Sequence, residues 1–121
     1  MLKALTQKYA ARRLNRDAVT VIASDTHSHR PEHLAAIAAQ IAEYLQLARD
    51  ASALDVHETK TLGRLKAIHG EARMRRDQIA LSAATLAIIY FRAQQLGEVA
   101  QPAMSAIDRF VERWRPAGSG D

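Results

Sequence analysis

Between His57 and Leu96 the chain runs for forty residues without a proline and with only two glycines. A helical apolar stripe accompanies the run, at Leu65, Ile68, Ala72, Ile79, Leu86, Ile89, Ala93 and Leu96. Steps of three and four residues are those that keep side chains on one face of an α-helix. One helix of that length would extend roughly 60 Å, longer than a compact domain of this size. It must therefore meet another helix or a second subunit. The fold class that follows is all-α: a bundle of four to five helices built around one long helix over about 56–96.

Composition supports this reading. Alanine supplies 24 of the 121 residues, and glycine and proline together only eight. Alanine loses no side-chain entropy in a helix and has the highest helix propensity. The chain predicts one helical domain over 1–115 and a disordered tail over 116–121. With no cysteine, a disulfide framework, a thiol nucleophile and a cysteine zinc site are all excluded. Absence of disulfides suits the cytoplasm. Thirteen of the seventeen basic residues are arginine, as in the alanine- and arginine-rich proteins of GC-rich bacterial genomes.

The remaining helices are marked by shorter signals. A first helix covers about 2–14 and continues through the β-branched segment AVTVIA, because one isolated strand would have no partner. Its first sixteen residues are basic and free of acids; they resemble an amphipathic mitochondrial presequence, or form the basic first helix of the bundle. The polar segment SDTHSHR is the clearest break, with Pro31 opening the next helix. That helix runs to about Asp50, with Leu34, Ile37, Ile41, Leu45 and Ala48 on one face. Asp55 and Glu58 give a capping-box start for the long helix, and Gly97 stops it. A last helix after Gln101-Pro102 carries Met104, Ile107, Phe110, Val111 and Trp114. The most apolar run, residues 79–91, is short of a bilayer span, so no membrane span is expected.

The long stripe has one fault. Arg73, Arg75, Arg76 and Asp77 occupy the turn where apolar residues should continue. Either the helix breaks there, with Asp77 capping a separate helix, or it passes through solvent; continuity is the expectation. Upstream, Gly63, Ala67 and Gly70 form a ridge of small residues suited to close helix approach or to local flexibility.

Three constellations carry chemistry. Asp25, His27, His29, Glu32 and His33 combine imidazole and carboxylate donors suited to zinc, manganese or iron, so Asp25, His27, His29 and His33 are the metal candidates. The surrounding VIASDTHSHRPEHLAAI resembles the opening of calcineurin-like metallophosphoesterases, where a strand delivers an Asp-x-His pair to two metals. The later Gly-Asp, Gly-Asn-His and Gly-His-x-His motifs of those enzymes are absent, apart from the terminal Gly-Asp dipeptide. An inter-helix connection capped by Ser28 or Asp25 uses the same residues without a metal.

The second is VHETKTLGRLKAI, which resembles the phosphoacceptor box of sensor histidine kinases. His57, Glu58, Lys60 and Thr61 match, and Leu62 replaces the box's proline. The resemblance implies His57 as a phosphoacceptor whose imidazole is oriented by Glu58. The third is the basic collar Arg73, Arg75 and Arg76, a candidate nucleic-acid contact, flanked by Glu71 and Asp77 that can neutralise it.

No Gly-x-Ser-x-Gly elbow and no repeated Glu-x-x-His ladder is present. The sequence thus points to a small non-enzymatic helical interaction or adaptor protein with no cofactor. A protein partner, self-association into a homo-oligomer and nucleic acid are its expected partners.

Overall fold

The computed structural model describes the backbone of residues 2–54 and 58–115 and the side chains of residues 5–47 and 60–115. Five α-helices follow one another: α1 (Leu2–Ser28), α2 (Pro31–Leu54), α3 (Glu58–Met74), α4 (Gln78–Leu96) and α5 (Gln101–Trp114). A 3-10 turn, Gly97–Ala100, joins the last two. No strand occurs among the described residues, and the all-α helical bundle stands.

The single long helix does not. It is two helices, α3 and α4, joined by Arg75, Arg76 and Asp77. Arg76 takes a left-handed conformation with φ of 57°. The Arg76 N–H then donates to Arg73 C=O at 3.2 Å, and the Asp77 N–H to Ala72 C=O at 2.9 Å. Those two bonds are a Schellman C-cap, with arginine where glycine usually sits. Asp77 is also the first residue of the next cap. Its carboxylate accepts from the Ala80 N–H at 3.0 Å, and its carbonyl from the Leu81 N–H at 2.9 Å. One residue thus closes α3 and opens α4, and the two helices fold back into an antiparallel hairpin. The hairpin removes the length argument for a second subunit.

Other boundaries shift less. α1 is continuous through AVTVIA as expected, but it runs on through most of SDTHSHR and stops only at Ser28. The break is therefore His29 and Arg30 alone. α2 continues past Asp50 to Leu54. Asp55 and His57, the tail over 116–121, and the side chains of Ala48 and Glu58 lie outside the described residues.

The core follows the periodicities. Leu34, Ile37, Ile41 and Leu45 of α2 are buried, with Leu65 and Ala72 of α3 and Ala103, Ile107 and Phe110 of α5. On α4 seven residues are buried: Ala83, Ala84, Leu86, Ala87, Ile89, Phe91 and Ala93. They spread around more of the helix than one stripe, because α4 is the centre of the bundle. It packs against α1, α2, α3 and α5. The run Gln78–Trp114 contains an eighteen-residue window of mean hydropathy 1.2, long and apolar enough by composition alone to enter a membrane. Within the bundle, burial of α4 on four neighbours uses that apolarity, and Gly97 interrupts the run.

α1 meets the core through a sparse seam. Ala11 and Ala18 are buried, and seven residues further on so is Asp25. Small side chains at these positions let α1 lie close to α4 and α5. Gly63, Ala67 and Gly70 do no such thing: all three are exposed, and a Cβ added at either glycine would meet nothing within 4 Å. The ridge on α3 faces away from the bundle and packs no helix.

Candidate functional site: an open groove over the central helix

The polar cluster at the α1–α2 junction is divided by helical geometry. Asp25 on α1 and His29 just past its end, four residues apart, lie on the same side, with His29 Nε2 3.9 Å from Asp25 Oδ1. His27 lies between them in sequence and is exposed. His33 lies beyond the break, its ring edge-on to that of His29 at 6.2 Å between centroids. The three histidines do not converge. Among the described residues no group of three or more His, Asp or Glu is gathered closely enough to hold a metal ion.

Asp25 has a different role. The Ser82 hydroxyl donates to its Oδ1 at 3.0 Å, while its Oδ2 is closed to solvent and has no partner. Burial pushes this carboxyl above its ordinary range; the Ser82 hydrogen bond and the nearby His29 offset part of that rise. Ser82, Asp25 and His29 do not form a nucleophilic relay. The hydroxyl is bound to the carboxylate and no imidazole base reaches it, whereas a triad needs the imidazole in the middle.

Arg73, Arg75 and Arg76 all sit exposed at the α3–α4 turn. Arg75 pairs with Glu71 at 2.7 Å, the neutralisation expected from the sequence. Arg76 is held by its backbone role in the cap. His57, the phosphoacceptor candidate, lies outside the described residues.

One concave surface follows from how the helices surround α4. α3 touches α2, α2 touches α5, and α5 touches α1. Among the described residues α1 and α3 share no comparable packing, and a groove between them exposes α4. Ser82 at the start of α4 meets Asp25 near the end of α1, so α1 and α4 are antiparallel. α3 is antiparallel to α4 through the hairpin. The two walls are therefore parallel to each other.

The groove has two sections that share Asp17 and Arg92. One, of about 400 Å³, lies between Thr20 and Val21 on α1 and Lys66 and His69 on α3, over Thr85 and Ile88. The other, of about 580 Å³, is lined by Arg13 and Leu14 on α1, Leu62 on α3, and Gln95 and Leu96 on α4. From Thr85 to Leu96 the floor spans twelve residues, a rise of roughly 17 Å. Its depth is apolar: Leu14, Val21, Leu62, Ile88 and Leu96 are half-buried against the core. The rim is basic, with Arg13, Lys66 and Arg92 exposed against one acid, Asp17, which lies 3.8 Å from Arg16.

Sequence reasoning missed this site because no single segment contains it. One signal was available: Thr85, Ile88, Arg92 and Gln95 form a stripe on α4 distinct from Leu86, Ile89 and Ala93. Compared with protein-family models, with curated proteins and with solved structures, the chain matches none.

Proposed function

We propose that this protein is a non-enzymatic interaction module, and that the groove between α1 and α3 receives one helix of a protein partner. The observation that carries this reading is the gap in the ring: four helices surround α4, and among the described residues the place between α1 and α3 is left open over an apolar floor. A bundle that leaves half-buried Ile88 and Leu96 at the bottom of a three-turn groove presents the surface that an amphipathic helix covers. Shape favours the same occupant, since the groove runs along the axis of α4 for roughly three turns. The groove thus takes over the interaction role that a protruding long helix was expected to have.

The test uses a labelled helical peptide of about fourteen residues, a leucine stripe with uncharged glutamine flanks, titrated while amide chemical shifts are followed. Shifts confined to residues 10–21, 62–69 and 85–96 support the reading. Peptide-induced shifts elsewhere, or no binding by any amphipathic helix, reject it. Light scattering on the free protein checks self-association: a dimer whose contacts map to the groove would make a second copy the occupant.

A further inference from the structure

Resting on that reading, we infer that the groove selects an acidic amphipathic helix from a different protein. Its apolar stripe would cover Leu14, Leu62 and Ile88, and its carboxylates would meet Arg13, Lys66 and Arg92.

The charge pattern carries the choice. Each of the three cations stands on a different helix of the groove: Arg13 on the α1 wall, Lys66 on the α3 wall and Arg92 at the floor's edge. An incoming helix therefore meets positive charge on both flanks. Acids three or four residues from its apolar anchors, on either side of the stripe, reach these groups with ordinary side-chain lengths. A lysine-rich helix would bring like charges against Arg13, Lys66 and Arg92, which costs affinity as well as encounter rate.

Asp17 adds register. It is the one carboxylate that belongs to both sections. An acid of the partner placed against it is repelled, so the preferred helix leaves the middle of its α1-facing flank neutral or basic. The same pattern disfavours a second copy of this chain. Net charge is +4, and the exposed face of α1 beside the groove carries Arg12, Arg13 and Arg16. Two copies meeting here would oppose basic surfaces.

The experiment compares three labelled peptides sharing one leucine stripe, with glutamate, glutamine or lysine flanks, by fluorescence anisotropy. At about 0.1 M salt the glutamate peptide is expected to bind at least ~10-fold tighter than the lysine peptide, the gap narrowing as salt rises. The variant Arg13→Glu/Lys66→Glu/Arg92→Glu changes only exposed side chains, and circular dichroism checks its fold. It should reverse the order. Equal binding of all three peptides overturns the charge selection and leaves the docking reading standing; binding by none of them removes the docking reading itself. An unreversed preference in the variant places the peptide outside the groove and overturns the inference. So does retention of duplex DNA or RNA that these reversals abolish while the acidic peptide fails to bind.

Discussion

Asn15, in the middle of α1, caps a helix that begins more than eighty residues later. Its Oδ1 accepts from the Ala103 N–H at 3.0 Å, and its Nδ2 donates to the Val99 carbonyl at 3.0 Å. The residue at the cap position of α5 is Ala100, which has no side chain able to do this. Pro102 has no N–H, so Ala103 carries the donor a capping side chain normally takes. The cap is supplied from another helix.

Asn15→Ala is therefore expected to lower unfolding free energy by about 1–2 kcal/mol, the range for losing a cap and leaving its partners unmet. Asn15→Asp keeps the acceptor and adds a negative charge near a helix N-terminus, but loses the donor to Val99. It should fall between the two. Urea denaturation of the three proteins checks the order.

Gaining glycine at Arg76 or losing it at Gly70 should stabilise the protein, whereas losing it at Gly97, at the end of α4, should destabilise it. Arg76→Gly relieves a left-handed side-chain residue and is expected to stabilise by about 1 kcal/mol. Gly70→Ala, in an exposed helix with open space at the Cβ, should gain about 0.5–1 kcal/mol. Gly97→Ala should lose ~1–2 kcal/mol, because φ of 75° with ψ of −143° is glycine's territory. Thermal melts of the three variants decide it, and a stabilising Gly97→Ala would contradict the geometry.

The buried carboxyl of Asp25 sets a pH dependence. Its folded pKa is raised above its ordinary value near 3.8. The folded state therefore holds this proton more tightly than the unfolded chain. That contribution is fully present below about pH 3.8 and is lost as pH rises through the raised value. Asp25→Asn removes the titration while its amide oxygen can still accept from Ser82. Difference curves of stability between wild type and Asp25→Asn should move in the variant's favour as pH rises from 3 to 7. A flat difference would mean the carboxyl stays solvated.

Leu86 lies fully buried at the centre of α4. Leu86→Ala removes buried methyl groups between several helices and should cost about 2–5 kcal/mol. Since small domains hold about 5–15 kcal/mol in all, the variant should melt far below wild type.

These relationships differ in how openly the sequence displays them. Leu34, Ile37, Ile41 and Leu45, and Ile107 with Phe110, were legible as core because a helical stripe is a local pattern. The α3–α4 turn was half legible. Asp77 and the run of arginines marked the fault, but a Schellman cap built on arginine lacks the glycine that would announce it. Asp25 follows Ala11 and Ala18 at seven-residue spacing; reading that seam outward from the alanines places a carboxylate inside the protein. The groove was not legible, since it depends on how far apart α1 and α3 sit on either side of α4, and no local periodicity records that. Nor could the local pattern Asp-x-His-x-His tell that a helix would continue through it and send its histidines apart.

The cap on α5 also orders events during synthesis. Asn15 is made early, yet Val99 and Ala103 follow 84 and 88 residues later. At about 5–20 residues per second, α1 waits on the order of ten seconds for the groups that complete it. Within that interval α4 emerges and can cover Ala18 and Asp25, so Asn15 is the part of α1 that stays without its partners longest. The contact between the first helix and the last is thus one that only a nearly complete chain can make.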